Sequence, residues 1–478
     1  MEDVLTSMDS VVTEEMARSL TCSYTEEEVR AALFQMHPSK SPGPDGMSPF
    51  FFQKFWHVVG QDVTAAVLSV LHSGRYLHKM NYTHIVLIPK KKDPQLITKY
   101  RPISLGNVVS RIILKDLANR VKPVLSRVIS DSHSAFVPDR FITDNTSIAY
   151  EMIHRMRNRQ RGKVGHMAIK LDVSKAYDKV EWEFLEKIML RIGFPEQWVN
   201  LAMLIVRTTS YSIIINGEPC EYISPSRGTK QGDLLSPYLF LFCAEGLSFL
   251  LRKATETHHL KGLTSCQGGV RISHILFADD SLLFSEAKMD ECRWLMEVLT
   301  QYKKALGQVI NRHKTALFFS KNTRREVQEN IRSMFGAQVM TSCEKYLGLP
   351  MMGGRSKVST FKDLQERVSK RVMGWKEKNV SKARREVLIK TVAQAIPTYS
   401  MSIFKIPRAA CDGMNSVLAK YWWGQTRNEW KIHWINWGKL CTPKIRGGVG
   451  FRDIHAFNLT MLAKQAWRLI HGTHSLFY

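Results

Sequence analysis

Hydrophobic spacing changes character several times along the chain. Val29, Ala32, Leu33 and Met36 recur at helical intervals behind Thr25 and Glu28, a capping-box pair, and predict a helix. The run Pro38-Ser-Lys-Ser-Pro-Gly-Pro-Asp-Gly46 cannot extend it and predicts a loop, after which Gln61 to Leu71 resumes a helical pattern. His84-Ile-Val-Leu-Ile-Pro-Lys90 predicts a short strand running into a basic loop. Three more apolar segments predict strands of one sheet: His166 to Val173, Ser212 to Ile215 before the turn Asn216-Gly217, and Ile272 to Phe284. Helices are expected between them, over Glu181 to Ile192 and Leu234 to Leu251. Beyond Pro350 the pattern becomes basic, tryptophan-rich helices. Ser381 is the expected N-cap of one that carries Leu388, Val392 and Ala395 and stops at Pro397, and a last helix aligns Leu462, Ala466, Leu469 and Ile470. The mixture predicts an α+β fold.

Length and charge sharpen this picture. A chain of 478 residues exceeds one compact domain, and 44% hydrophobic with 23% charged residues excludes a mainly disordered protein. Lys and Arg outnumber Asp and Glu by 68 to 43, a net charge of +25, which points to a polyanionic partner. From Met351 onward the count is 23 to 7, so the last quarter carries most of the excess. The start of the chain has no secretory pattern, and its longest apolar run is broken by Ser236, Pro237, Glu245 and Ser248. No membrane association is expected, and the predicted location is nucleus and/or cytoplasm. The eight cysteines are scattered and form no CxxC pair, so neither a disulfide framework nor a zinc site is indicated.

The candidate chemistry lies in acids. In Ile275-Leu-Phe-Ala-Asp-Asp-Ser-Leu-Leu-Phe284, two adjacent aspartates separate two strand-length apolar runs, which places Asp279 and Asp280 at a hairpin tip. Asp172 ends another apolar run, and a neighbouring strand can bring it beside Asp279. Carboxylates so close repel unless a cation joins them, and hard oxygen ligands favour Mg²⁺, with Mn²⁺ as its substitute. Such a site serves phosphoryl transfer, in a polymerase or in a nuclease.

Further motifs follow in order: Leu87-Ile-Pro-Lys90, Tyr100-Arg-Pro-Ile-Ser-Leu105, Ser134-Ala-Phe-Val-Pro138, Lys170 to Asp178, Arg227-Gly-Thr-Lys-Gln-Gly-Asp233, Phe277-Ala-Asp-Asp280, Gly307-Gln-Val-Ile-Asn311 with Lys314, and Tyr346-Leu-Gly-Leu-Pro350. With them the chain resembles the reverse transcriptase of a non-LTR retrotransposon, of the plant long interspersed nuclear element type. The resemblance runs from about Thr25 to the end and includes Tyr421-Trp-Trp-Gly424 and Ala463-Lys-Gln465. It implies a right-hand polymerase with fingers, an antiparallel palm sheet and a helical thumb and connection. The expected division is a helical N-terminal extension over 1–75, fingers and palm over 76–350, and a basic thumb and connecting region over 351–478. It also implies Mg²⁺-dependent addition of dNTPs to a DNA primer 3′-OH on an RNA template.

The roles carried over are these. Asp172, Asp279 and Asp280 are the catalytic metal acids; Lys90 and Arg101 hold the triphosphate; Tyr177 lies under the incoming sugar. Gln231 and Gly232 lie under the nucleotide, Lys314 assists the leaving pyrophosphate, and Tyr346, Leu347 and Gly348 grip the primer. Most tryptophans among Trp375, Trp422, Trp423, Trp430, Trp434 and Trp437 are expected in core packing, with the rest stacked on bases. The sequence departs from the family at Leu234 for proline, Asp139 for glycine, His133 for glutamine and Arg384 for glycine. Such elements carry an endonuclease upstream and further segments downstream, so a truncated copy is expected; the alternative is a decayed, inactive nucleic-acid-binding remnant.

Overall fold

The computed structural model describes residues 5, 8–174, 176–264, 269–307, 309–311, 314–340, 345–351, 357–376, 380–425, 430–472 and 476. They separate into two compact units, one of Met1–Arg140 and Arg159–Val339, the other of Phe141–Asn158 and Met340–Tyr478.

The first unit holds two sheets. Strands β1 (Tyr82–Pro89), β2 (Tyr100–Gly106), β4 (Ser210–Ile215) and β5 (Glu218–Ile223) form one in the order β2-β1-β4-β5. The other contains β3 (His166–Ser174), β8 (His274–Phe277), β9 (Asp280–Glu286), β11 (Ala316–Phe319) and β12 (Gln338–Val339), in the order β12-β11-β3-β9-β8, with β10 (Val309–Ile310) pairing beside the end of β3. A short ribbon joins β6 (Leu263–Thr264) to β7 (Arg271–Ile272). Most pairings are antiparallel; β1 with β4 and β11 with β12 are parallel. The expected single sheet is therefore corrected, because Ser212–Ile215 pairs with β1 instead of β3. Its hairpin partner β5 follows directly across Asn216-Gly217, both at positive φ, which matches the right-handed strand twist and closes the edge locally.

Helices cover these sheets. The buried apolar run is helix Ser236–Glu256, whose residues from Ser236 to Leu251 are nearly all buried between strands and neighbouring helices. Thr25 and Glu28 form the expected capping box at the start of Glu26–Phe34. Arg120 then joins Glu28 by an ion pair of 2.8 Å, binds backbone carbonyls of Leu20, Cys22 and Ser23, and covers the Tyr24 ring. The Pro-Gly loop docks through Gly43, where any Cβ would lie 2.5 Å from the backbone of Gly106 and Asn107.

In the second unit, helices Lys362–Lys376, Arg408–Trp422 and Ile454–His471 surround a separate core. Ser381 caps Lys382–Leu388 as expected, but the following turn is a π-helical segment, Ile389–Ala393. Helix Ile142–Asn158 joins this unit from earlier in the chain: Tyr346 donates to Asn145 Oδ1 at 2.7 Å, and Arg468 forms a forked pair with Asp144. Trp375, Trp422, Trp423 and Trp437 pack in this core, whereas Trp430 and Trp434 are 85% and 76% exposed. The expected face of the last helix is likewise uncovered at Ile470; its buried contacts come from Ile454 and from Asn458, which bonds Ile406, Met401 and Phe404. Among the described residues no helix is long and apolar enough to cross a membrane, and the described cysteines are free thiols.

Candidate active site

Strands β8 and β9 are joined by a two-residue loop, Ala278–Asp279, because Phe277 pairs with Asp280. Asp280 is thus the first residue of β9, and the β3–β9 register sets it directly opposite Asp172. Opposed residues of an antiparallel pair project from the same face, so these two carboxylates share it. Asp279 stands on the exposed turn, one residue beyond the Asp172–Asp280 pair. Ala278 carries the strain of this short loop at φ +53°, a region side chains seldom adopt. Burial raises the Asp280 carboxyl above its ordinary range, and the charges of Asp279 and Asp172 push the same way.

Next to these acids, β10 and the residues after it run along the end of β3. Asn311 N–H donates to the Asp172 carbonyl at 2.9 Å, and the chain turns so that Lys314 Nζ lies 3.4 Å from Asp172 Oδ2. Tyr177 lies past the end of β3, stacked on Phe240 with centroids 4.9 Å apart. Burial, aided by the charge of Asp279, lifts its phenol to about 12.

The loop Arg227–Asp233 is tied at both ends. Thr229 N–H donates to Tyr177 O at 2.9 Å, Gly228 N–H to Val180 O at 2.8 Å, and Trp182 Nε1 to Gly228 O at 2.7 Å. Gly228, at φ +87°, has no room for a side chain, since a Cβ would meet Asp178 O at 2.7 Å. At the far end Ser104 N–H of β2 donates to Gln231 O at 2.9 Å, and Gly232 at φ +96° faces Ile103 and Ser104. Gln231 and Gly232 are therefore anchored to the strand that carries Arg101. Arg101 pairs with Ile88, and Lys90 N–H continues the ladder to Lys99 O, so Lys90 and Arg101 are diagonal neighbours on one face of the β1–β2 hairpin. Lys90 Nζ rests on Thr98 O at 3.2 Å. Among the described residues neither cation is hydrogen-bonded or ion-paired to the three aspartates.

Tyr346, Leu347 and Gly348 lie in the second unit, in a hairpin between β13 (Lys345–Tyr346) and β14 (Leu349–Pro350). Leu347 and Gly348 both have positive φ, and Tyr399 donates to Leu347 O at 3.2 Å. Tyr346 is buried, so only the turn itself is free to face a ligand.

Three features escaped the sequence reading. Lys230 is buried and bonds Asn81 and Thr83 beneath the Gln231 loop; burial lowers its ammonium to about 8 against the pull of Asp233. Asp233 in turn accepts Leu235 N–H at 2.6 Å and Ser236 N–H at 3.3 Å, which holds the helix entry at Leu234 without a proline. His133 is completely buried and accepts the Ala278 N–H at 3.2 Å. No spacing marks a lone lysine or histidine as buried; only the tertiary fold does.

The donor set of Asp172, Asp279 and Asp280 is carboxylate oxygen, which suits a hard cation. Among the described residues no three His, Cys, Asp or Glu side chains already cage an ion. Mg²⁺ is accustomed to this, since it takes one or two carboxylates and completes its shell with water and phosphate.

Residues 88–351 match the family model described as reverse transcriptase (RNA-dependent DNA polymerase). An uncharacterised 149 kDa protein of transposon TX1 from Xenopus laevis is 28% identical over 95% of this chain and 34% of its own length. The Pol polyproteins of the retrotransposable elements R2 of Nasonia vitripennis and R2DM of Drosophila melanogaster are 28% and 26% identical, over 52% and 61% of the chain and 22% and 26% of theirs. The chain thus spans about a third or less of these relatives. With more than half of it matched by the family model, and with transposon proteins among its relatives, the chain belongs to the reverse transcriptases of non-LTR retrotransposons.

Proposed function

We propose that the first unit catalyses RNA-directed DNA synthesis, with Asp172, Asp279 and Asp280 as its metal-binding acids. The observation that carries this reading is the register: Asp172 opposite Asp280, and Asp279 next to it on a two-residue turn. Held by these acids, Mg²⁺ (or Mn²⁺) would lower the pKa of the primer 3′-OH and offset charge growing on the α-phosphate. The primer oxygen forms its bond to the α-phosphorus of a dNTP while the bond to pyrophosphate breaks.

The other residues bind and orient. The β2-β1-β4-β5 sheet acts as fingers, where Lys90 and Arg101 project from one face towards triphosphate; Arg offers a fork and Lys a point charge. The β12-β11-β3-β9-β8 sheet acts as palm. Tyr177, held rigid against Phe240, lies beside the acids where a ring rejects a ribose 2′-OH. Gln231 and Gly232 support the nucleotide through a loop fastened at Tyr177 and Ser104, and Lys314, already near Asp172, offers a proton to pyrophosphate.

The second unit acts as thumb and connection. The turn Leu347–Gly348 contacts the primer through its backbone. The exposed Trp430 and Trp434 lie in a stretch, Trp430 to Arg452, with five cations and no acid, suited to bases and phosphates of an RNA template.

Primer extension on a poly(A) RNA template with Mg²⁺ and dNTPs tests the reading. Extension by the chain and none by a folded Asp279→Asn variant is expected. Equal extension by both, or dNTP-independent cleavage lost with Asp172→Asn, overturns it; tight template–primer binding without extension would mark an inactive remnant.

A further inference from the structure

A second layer of structure lies behind the acid turn. Segment Ser132–Ser134 runs beside β8: Leu276 N–H donates to Ser132 O at 2.8 Å and Ser134 N–H to Leu276 O at 3.2 Å. Between these bonds the fully buried His133 sends its ring past Leu276 to the turn, and Nε2 accepts the Ala278 N–H at 3.2 Å. That amide belongs to the first residue of a two-residue loop, so the strand ladder leaves it unpaired. Ala278 is also the residue held at φ +53°. An N–H donated to Nε2 requires the ring proton on Nδ1, and Nδ1 has no partner among the described residues. The imidazole is thus held by one bond, the one to the turn. Burial, with Arg140 and His274 nearby, lowers it to about 3 and keeps it a neutral acceptor.

The backbone of this prop is itself fixed. Arg140 donates to His133 O at 2.8 Å and gathers the carbonyls of Ser126, Ile129 and Ser130 as well. Ser132 Oγ is bonded to His274 Nε2 at 2.8 Å, which ties the same segment to the start of β8. A side chain so placed adds nothing to the strand pairing, which backbone groups complete. What it contributes is a strut between a rigid loop and a strained one.

We infer that His133 is a positioning residue, whose Nε2 holds the Ala278 amide and with it the strained turn that presents Asp279 and Asp280. The inference rests on those acids being the metal-binding set. It assigns His133 no contact with substrate.

The test uses the full chain with His133→Leu, which removes the acceptor at similar size, and His133→Gln, whose amide oxygen can accept at comparable reach. Should the Leu variant fail to fold, His133→Met fills the site flexibly and replaces it. Expected for the Leu variant is a kcat loss on the order of tenfold to a hundredfold with little change in KM for template–primer, and recovery in the Gln variant. Hydrogen exchange at peptides covering residues 276–282 should quicken in the Leu variant and return in the Gln variant. Unchanged kcat and exchange in the Leu variant overturn the inference, as does a loss shared equally by kcat and KM that Gln does not restore. If the unmodified chain fails to extend a primer while Asp279→Asn leaves Mn²⁺ binding untouched, the assignment of the acids fails; the exchange result still decides the role of His133 in the turn.

Discussion

Arg140 offers the sharpest test of how the loop behind the acid turn is built. Its guanidinium donates to His133 O at 2.8 Å, Ile129 O at 2.9 Å, Ser126 O at 3.1 Å and Asp131 Oδ1 at 3.1 Å, and closely to Ser130 O. The side chain is only 16% exposed, and its bonds to Ile129, Ser130 and His133 are shielded with it, whereas Ser126 and Asp131 face solvent and keep water once it is removed. At about 1.5 kcal/mol for a bond from a charged donor, the three shielded bonds are worth about 5 kcal/mol, and the exposed pair adds little. Truncation returns about 2 kcal/mol of side-chain freedom, so Arg140→Ala should cost about 3 kcal/mol. Arg140→Lys places one compact head where a fork was and should recover about 1 kcal/mol. Urea denaturation of the full chain gives the totals, and hydrogen exchange locates the loss at residues 125–134 and 274–282. A cost under about 1 kcal/mol for the Ala variant, or exchange quickened equally everywhere, would refute the reasoning, because carbonyls that need no guanidinium are not organised by it.

Asp280→Asn should lower extension on the order of 10²-fold yet raise the melting temperature at neutral pH. The folded-state pKa is raised, so ionised Asp280 costs stability at neutral pH, and the gain from Asn should fade as pH falls through the raised value and be gone below the ordinary Asp pKa of about 3.9; a gain that persists at pH 3 would contradict this. Asp139 sits at φ +62°, and Asp139→Gly should stabilise the chain by roughly 0.5–1 kcal/mol, read from the urea midpoint. Trp430→Ala with Trp434→Ala should weaken single-stranded RNA binding about tenfold or more by fluorescence anisotropy without altering the melting temperature, since both rings are exposed.

The sequence displayed some of this well. The capping box at Thr25, the hairpin at Asn216-Gly217 and the buried helix from Ser236 are local signals, and local physics produced them. The acid turn was legible because two apolar runs bracket it, yet its register was not. Moving a strand by one residue changes which aspartate faces Asp172, and hydrophobic spacing alone leaves both registers open. Membership of Ser212–Ile215 in the second sheet depends on a parallel pairing with β1 across more than a hundred residues, which no local pattern encodes. Four of the six tryptophans pack in the core, as tryptophan usually does, but nothing in the sequence told which two, Trp430 and Trp434, would stay exposed. Asp139 is the reverse case, where the positive φ supplies the physical reason glycine is usual at that position.

Helix Ile142–Asn158 belongs to the second unit although both flanking segments belong to the first. The polypeptide therefore passes between the units at three points, after residues 140, 158 and 339. During synthesis Asn145, Thr146 and Asp144 emerge 201, 253 and 324 residues ahead of Tyr346, Tyr399 and Arg468, the side chains that bond them. Asp144, Asn145 and Thr146 must wait for those partners until the later strands and helices leave the ribosome. A fragment beginning at residue 340 would lack that helix from birth, and adding it back as a separate peptide is the direct way to ask whether the second unit can be completed in trans.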